Sequence, residues 1–150
     1  MDRFTCAVFI VDNEIVLMIF HRNLQRWLPP GGKVENGELP QDAARREVKE
    51  EVGLDIELHN SVDLDFSQEG VEVLIQPHHM QLETMPDGSK NCDFIFHCKP
   101  TNLDVVLDEQ TAEQYRWMNK NDLETYVNEW EVRQNAKMSI DNINSRITDN

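Results

Sequence analysis

The sequence predicts a layered α/β fold, and three features of the 150-residue chain indicate it. Two runs near its start, residues 4–11 and 15–20, are nearly all apolar, which is typical of strands covered on both faces. Residues 40–53 show helical spacing, and a periodic apolar pattern returns in residues 132–147. This combination favours helices packed around a sheet over an open β-sandwich. The length suits a single domain, residues 1–150.

The first two apolar runs are predicted to form a β-hairpin. Residues 4–11 lead into Asp12 and Asn13, which are typical turn residues. Residues 15–20 follow directly after Glu14, so the polar connection is short enough to join two antiparallel strands.

A stiff loop that contains glycine comes next. Residues 27–32, WLPPGG, hold two prolines, which restrict the backbone, and two glycines, which let it turn and approach a ligand closely. Asn36 and Gly37 then mark a further turn before the predicted helix.

The helix is predicted from its ends and from its apolar face. Pro40 suits the first turn, where its missing N–H costs nothing, and Asp42 complements the helix dipole there. Gly53 is a natural residue just past the C-terminal end. The apolar positions that we expect to face the core are Ala43, Ala44, Val48 and Val52.

Strands are predicted in the middle of the chain. Residues 56–66 are strand-like, and residues 71–82 form an extended segment that is broken by Pro77. A turn at residues 86–89, PDGS, joins this segment to a strand at residues 93–98, so the two are predicted to pair as a hairpin.

The C-terminal part is predicted to hold a short strand and two helices. Residues 114–118 read as the strand, and Asn121, with Glu124 three residues later, has the pattern of a helix N-cap. Apolar residues then recur at helical spacing, which predicts an amphipathic helix lying on the core; they are Val132, Ala136, Ile140, Ile143 and Ile147.

The charge and cysteine content limit the function. A net charge of -14 argues against binding of nucleic-acid polymers or anionic membranes, which needs a basic surface. It leaves a nucleotide substrate open, because a metal ion can bridge an acidic site to phosphates. Cys6, Cys92 and Cys98 are odd in number and show no metal-type spacing. Without a signal peptide or an apolar run of about 20 residues, we expect a cytoplasmic protein.

Residues 47–51 concentrate negative charge on one side of the predicted helix. Glu47, Glu50 and Glu51 stand at i, i+3 and i+4, so their carboxylates share a face and repel each other. A hard divalent cation such as Mg²⁺ prefers oxygen ligands and would offset this repulsion. The segment therefore indicates a metal site, with a solvated charged helix as the alternative.

Residues 32–54, GKVENGELPQDAARREVKEEVGL, also carry a motif of fixed spacing. Gly32 is followed by Glu38 and then by REVKEEVGL, which fills every defined position of the Nudix box. That box is a glycine, a spaced glutamate and REUxEExGU, where U is a bulky apolar residue. The chain thus resembles the Nudix hydrolases, the MutT-like family, whose fold is an α/β/α sandwich around a mixed sheet.

The resemblance implies a site for Mg²⁺ or Mn²⁺. In Nudix hydrolases the glutamates that match Glu47, Glu50 and Glu51 bind the metal, and one of them can help to deprotonate water. A backbone carbonyl that matches Gly31 or Gly32 often completes the metal shell. We take Gly32 as the metal ligand and expect both glycines to lie close to the substrate.

The resemblance also implies supporting residues. Arg46 pairs with the box carboxylates and orients them, and Glu38 contributes less directly. The family often draws a further catalytic acid or metal ligand from a loop before the late strand, where Glu109 and Glu113 both stand. Glu113 is our candidate and Glu109 stays open, while a solvated loop glutamate is the simpler interpretation of each.

Three further residues are candidates for substrate contacts. Arg22 lies at a strand end near the glycine loop, where it could contact phosphate or base. Trp27 could stack on a base or could simply anchor the loop. His79, with His78 beside it, could line a pocket, although an exposed histidine pair is the simpler interpretation.

The resemblance implies an enzyme that hydrolyses a nucleoside diphosphate linked to another group, a small-molecule substrate. Signatures of the ADP-ribose, diadenosine polyphosphate, NADH and coenzyme A types are missing, so hydrolysis of nucleoside triphosphates to release pyrophosphate is the leading interpretation, with nucleotide-pool clean-up as its purpose. A non-catalytic domain that senses a nucleotide or another ligand is the alternative. The assembly stays open, with a homodimer as one possibility.

Overall fold

The computed structural model describes residues 1–60 and 67–148 and confirms the α/β fold. The strands and helices in these ranges are, in chain order, β1 (Arg3–Asp12), β2 (Ile15–His21), β3 (Arg26–Leu28), β4 (Gly31–Lys33), α1 (Pro40–Val52), β5 (Ile56–Glu57), β6 (His79–Thr84), β7 (Lys90–Pro100), β8 (Ala112–Met118), α2 (Lys120–Tyr126) and α3 (Trp130–Thr148).

β1 is the centre of a mixed sheet. It pairs in parallel with β7, from Arg3 opposite Asn91 to Ile10 opposite Cys98. On its other edge, β4 pairs antiparallel with the first half of β1, and β2 pairs with its last residues to form the predicted hairpin, where Asn13 takes a positive φ of 52°. β2 extends the sheet to β3 and β8, and β7 extends it to β5 and β6.

Two hydrophobic cores cover the opposite faces of this sheet, as the nearly continuous apolar strands predict. Because side chains alternate along a strand, neighbouring residues of β1 enter different cores. Val8 and Ile10 pack with Val48 of α1. Phe9 packs with Ile140 of α3. The helices therefore lie on both sides of the sheet, which is the predicted α/β/α arrangement.

Helix α1 begins and ends where the sequence predicts. Pro40 is its first residue and Asp42 lies in its first turn. Gly53 follows with a φ of 70°, and its N–H donates to the carbonyl of Lys49 at 3.1 Å. The four predicted apolar residues are all buried: Ala43, Ala44, Val48 and Val52.

The segment before β8 is attached to the C-terminal end of α1. The N–H of Val106 donates to the carbonyl of Val52 at 2.9 Å, and the N–H of Asp108 donates to the carbonyl of Glu51 at 2.8 Å. The last carbonyls of a helix have no partner within it, so these bonds satisfy two of them. They hold residues 106–109 against the helix end that carries the glutamates.

The strands in the middle of the chain differ in extent from the prediction. Of residues 56–66, only Ile56–Glu57 form a strand, and residues 61–66 lie outside the described part of the chain. Residues 71–82 become a ladder strand only beyond Pro77, because proline has no N–H to donate. Pairing starts at His78, whose N–H donates to the carbonyl of Ile95 at 2.7 Å.

The β6–β7 hairpin is confirmed and is longer than predicted. The turn at residues 86–89 places Gly88 at a φ of 86°, and its N–H donates to the carbonyl of Met85 at 2.9 Å. Pairing begins at once with Thr84 opposite Lys90. β7 therefore extends at both ends beyond the predicted residues 93–98.

The prediction of Asn121 as the N-cap of the short helix is wrong. The cap is Asn119, whose side chain accepts from the N–H of Asp122 at 2.8 Å, while the Asp122 carboxylate accepts from the N–H of Asn119 at 3.1 Å. This capping box stands two residues earlier because Met118 ends β8 and the helix begins directly after it.

The C-terminal helix is confirmed. α3 runs from Trp130 to Thr148, and four of its predicted apolar residues are buried: Val132, Ala136, Ile140 and Ile143. The side chain of Ile147 lies outside the described residues. Among the helices that the structure describes, none is both long and apolar enough to span a membrane.

The attachment at Gly53 leads to a stability prediction. A Cβ at Gly53 would stand 2.9 Å from the Cβ of Val106, in a backbone conformation that already disfavours L side chains. We expect Gly53→Ala to lower the free energy of unfolding by about 2 kcal/mol or more, measured by urea denaturation.

The control is Gly37→Ala, because Gly37 has a φ of 79° but no atom within 4 Å of the added Cβ. It should cost about 1 kcal/mol through its backbone conformation alone. Equal losses for the two variants would contradict the proposed contact with Val106.

Candidate active site

A cavity of about 870 Å³ opens on both sides of the first half of β1. On one side, which we term the β4 side, Gly31, Gly32 and Glu51 line it. The opposite side, which we term the β7 side, is lined by polar residues of β6, β7 and α3: Gln81, Glu83, Asn91, Asp93 and Glu131. The glycine loop and one motif glutamate therefore share a cavity with a second acidic group.

The guanidinium of Arg46 gathers the carboxylates near the β4 side. Its Nε and Nη2 donate to the two carboxylate oxygens of Glu38, at 2.8 and 3.1 Å. Its Nη1 donates to Glu47 at 3.0 Å and to Glu50 at 3.2 Å. Its Nη2 also donates to the carbonyl of Lys33, at 3.0 Å. The hydrogen bond from Arg46 lowers the pKa of Glu38, so this clamp joins β4, the loop and α1 through charged groups.

Glu51 is the buried member of the acidic set. It is 7% exposed, and the pKa of its carboxyl is raised to about 9, chiefly by burial. A hydrogen bond to Glu47 and the charge of Glu47 contribute to this rise, whereas a hydrogen bond from the backbone of Gly31 opposes it. Two carboxyl groups in contact at a buried position retain one proton near neutral pH unless a cation replaces it.

Gly31 and Gly32 do not turn the chain, contrary to the prediction. They lie in β4, and neither takes a positive φ. They provide space instead. A Cβ at Gly31 would stand 2.1 Å from the carbonyl oxygen of Cys6, and one at Gly32 would stand 2.6 Å from the carboxylate of Glu47. The missing side chains allow β4 to pair with β1 and Glu47 to lie against the loop.

The donor atoms of these groups are suitable for a divalent ion, but their present positions do not form a complete metal site. Within residues 1–60 and 67–148, no three His, Cys, Asp or Glu side chains converge as ligands of a metal ion would. Arg46 holds Glu47 and Glu50, and Glu51 faces Glu47. Carboxylate and carbonyl oxygens are nonetheless the donors that Mg²⁺ and Mn²⁺ prefer. The contact between Glu51 and Glu47 is where a cation would relieve the repulsion.

Arg22 and Glu113 contact each other outside the cavity lining. The Nη1 of Arg22 is 3.7 Å from Glu113, and Gln25 donates to the same carboxylate at 2.9 Å. The Nε of Arg22 donates to the carbonyl of Glu109 at 2.8 Å. Among the described contacts, Glu113 has none with the glutamates of α1. Glu109, by contrast, directly follows Asp108, which is bonded to α1.

Trp27 lies in the core on the α3 face of the sheet and is not among the residues that line the cavity. Its ring makes edge-on contacts with Phe20 and Tyr126, at centroid distances of 5.4 and 6.3 Å. This placement agrees with the interpretation that Trp27 anchors the loop, and stacking of a base on Trp27 stays a prediction.

His79 belongs to a histidine cluster on the same face of the sheet. The Nδ1 atoms of His79 and His78 are 2.8 Å apart, and His78 stacks on His97 at a centroid distance of 4.1 Å. His97 is buried, and burial lowers its pKa to about 3, with His78 and His79 adding to the shift. None of these rings lines the cavity, so a role of His79 in substrate binding stays a prediction.

The β7 side of the cavity was missed by the sequence analysis. Asn91 and Asp93 stand two residues apart near the start of β7, so both point to one face of the sheet. This spacing could have predicted two polar side chains on one face of the strand. Their partners Gln81, Glu83 and Glu131 could not be found in this way, because they reach the cavity from distant segments.

Known proteins with similar sequences and structures agree with these observations. The family model for the NUDIX domain matches residues 1–139. Over 105 residues, or 67% of each chain, the sequence is 30% identical to the nucleoside triphosphatase NudI of Escherichia fergusonii.

Two solved structures have a similar fold. The structure of a NUDIX-family hydrolase from Clostridium perfringens is 30% identical, with a TM-score of 0.85 over 95% of this chain and 99% of that one. The E. coli dihydroneopterin triphosphate pyrophosphohydrolase shares 22% identity, with a TM-score of 0.69 over 95% and 99% of the two chains. At that identity the second likeness extends to the fold alone.

The clamp at Arg46 leads to a stability prediction with a neighbouring control. Arg46→Lys keeps the charge but loses the planar fork that binds Glu38 through two hydrogen bonds. We expect a loss of about 1–3 kcal/mol in the free energy of unfolding, measured by urea denaturation. Arg45→Lys should cost less than about 0.5 kcal/mol, because Arg45 pairs only with the exposed Asp42 among the described residues. Similar losses would contradict a special role of Arg46.

The raised pKa of Glu51 predicts how the stability of the metal-free protein depends on pH. The folded state retains a proton that the unfolded chain releases near pH 4.5, so stability falls as the pH rises from about 5 towards 9. Glu51→Gln imitates the protonated form and should remove up to about 1.4 kcal/mol per pH unit of this slope. Urea denaturation in EDTA at several pH values measures it, and an unchanged slope would contradict the assignment.

Proposed function

This chain belongs to the Nudix family and is a Nudix pyrophosphohydrolase, and we propose that its substrates are nucleoside triphosphates, split with the help of Mg²⁺ or Mn²⁺. The observation that carries the proposal is the buried Glu51, which lines a cavity large enough for a nucleotide together with Gly31 and Gly32 and is paired with the half-buried Glu47. The similarity to proteins named nucleoside triphosphatase NudI adds support for the substrate class.

The residues of the β4 side would divide the work. Glu47, Glu50 and Glu51, with the carbonyl of Gly32, would hold the ion. When bound, a divalent ion neutralises phosphate oxygens and lowers the pKa of a coordinated water. Arg46 would keep Glu47 and Glu50 oriented through the hydrogen bonds described above. In the reaction, water attacks phosphorus, and the bond to the leaving pyrophosphate breaks.

A cysteine nucleophile is disfavoured at this site. Cys6 lines the cavity beside Gly32, but burial raises the pKa of its thiol to about 12. The reactive form of cysteine is the thiolate, which is scarce at neutral pH for such a group. Water is therefore the better candidate for the attacking group.

Glu109 is the better supported of the two candidates for a further catalytic acid. The bonds from Val106 and Asp108 to the last turn of α1 bring its segment next to the motif glutamates. Glu113 lies on β8 and contacts Arg22 and Gln25 instead. The alternative of a non-catalytic sensing domain receives less support, because every glutamate of the motif is present.

A nucleotide panel tests the proposal. The protein is incubated with nucleoside triphosphates and with nucleoside diphosphates linked to other groups, with Mg²⁺ or Mn²⁺, and the release of pyrophosphate and phosphate is measured. We expect pyrophosphate from at least one nucleoside triphosphate, and no release after EDTA is added. Binding without turnover of any member would favour the sensing domain and sink the proposed function.

Glu50→Gln should lower kcat by at least about 100-fold, because it removes a charge from the proposed metal site. Glu50 is exposed, so the substitution does not disturb the core. Glu14→Gln is the matched control, since Glu14 is an exposed residue of the β1–β2 turn. It should keep kcat within about twofold of the parent, in line with surface substitutions in general. Near-normal rates for Glu50→Gln would mean that the site is misassigned.

A further inference from the structure

Polar residues of the β7 side form two rows across neighbouring strands. Asp93 of β7 lies directly opposite Thr5 of β1 and Gln81 of β6. Two residues away, Asn91 lies opposite Arg3 and Glu83, and the period of two puts both rows on the same face of the sheet. Gly31 and Gly32 pair with the other edge of β1 and line the same cavity, so one bound nucleotide can contact both sides.

Carboxyl groups, which are hydrogen-bond acceptors, dominate the part of the cavity around these two rows. The Thr5 hydroxyl donates to Asp93, and the carboxyl of Glu83 is in hydrogen-bond contact with Asp93. Burial, followed by this contact, raises the pKa of Asp93 to about 7. Glu131 of α3 accepts from Gln81 at 2.6 Å and from Asn135 at 2.5 Å. Three carboxyl groups thus meet in the cavity without a cation among their described partners.

Asn91 adds an amide group to the same part of the cavity. It is 6% exposed and lines the cavity. Its Oδ1 accepts from the Nε of Arg3 at 2.8 Å. Among the described hydrogen bonds, none has its Nδ2 as the donor. This amide nitrogen is therefore available to a ligand that offers an acceptor.

An apolar rim lies next to these polar rows. Trp130, the first residue of α3, is 68% exposed and lines the cavity beside Glu131. A flat ring with polar edges would place its face against Trp130 and its edge against the carboxyl groups.

We propose that the β7 side of the cavity is the base-recognition site, in which Asp93 and Glu83 select a nucleobase that carries an exocyclic amino group. Cytosine, adenine and guanine each present such an N–H donor on the edge that pairs in nucleic acids. Thymine and uracil place carbonyl oxygens on both sides of their ring N–H, so their edge faces the carboxyl groups with acceptors. The proposal rests on the proposed function in one respect, since it takes the ligand to be a nucleotide.

Binding of nucleoside monophosphates tests this selection separately from hydrolysis, because they contain no diphosphate to split. Titration calorimetry with Mg²⁺ at pH 7 would compare dCMP, dAMP and dGMP with dTMP. We expect the first three to bind the parent protein at least about tenfold more tightly than dTMP. Equal affinities would overturn the proposal.

Two substitutions at Asp93 make the test specific. Asp93→Ala removes both acceptors, so all four affinities should fall within about threefold of one another. Asp93→Asn keeps the shape but offers one donor and one acceptor. It should bind dCMP and dAMP within about threefold of the parent, whereas dGMP, with two adjacent N–H donors, should bind at least about tenfold more weakly.

Asp104→Asn is the matched control, since Asp104 is exposed outside the cavity lining. It should leave all four affinities unchanged. Circular dichroism checks that each variant folds, and Asp93→Asn keeps the test decisive if Asp93→Ala does not. A preference that survives Asp93→Ala would overturn the assignment. Hydrolysis without base preference would leave the proposed function intact, and the preference without hydrolysis would refute that function alone.

Discussion

The guanidinium of Arg46 is the contact on which the geometry of the motif depends. Glu38, Glu47 and Glu50 all accept hydrogen bonds from it, and so does the backbone of β4 through the carbonyl of Lys33. Partly buried ion pairs add little net stability relative to apolar groups in the same place, because desolvation offsets most of the attraction, but the loss of one partner alone is costly. The larger effect is on geometry. One planar group with five N–H donors fixes the relative positions of a strand, a loop and a helix.

Two buried carboxyl groups of the cavity are not bonded to Arg46. Glu51 and Asp93 are both buried in the cavity wall, and burial raises the pKa of each carboxyl above its ordinary value. The raised pKa values mean that the folded protein disfavours these charges without a ligand. A cation near Glu51 and N–H donors near Asp93 would relieve that cost. Under the proposed function, part of the selectivity for the ligand would therefore come from the relief of these unfavourable charges.

The sequence analysis succeeded where local interactions determine the structure and failed where distant segments determine it. Helix α1 was predicted at both ends because Pro40 and Gly53 act through their own backbone. The cap of α2 was misplaced because Asn119 and Asn121 both fit a capping pattern, and only the end of β8 decides between them. The length of β5 could not be predicted, since its pairing with the end of β7 is set by the whole sheet.

The same distinction separates the two sides of the cavity. The β4 side is built by residues 31–51, a continuous segment, so its chemistry can be predicted from a sequence motif. The β7 side is assembled from β1, β6, β7 and the start of α3, and no short pattern records it. Changes at Gln81, Glu83 or Asp93 would alter which groups face a ligand without touching the motif. Under the proposed assignment, substitutions on the β7 side would change the ligand while the reaction stays constant, because the two sides share only the central strand.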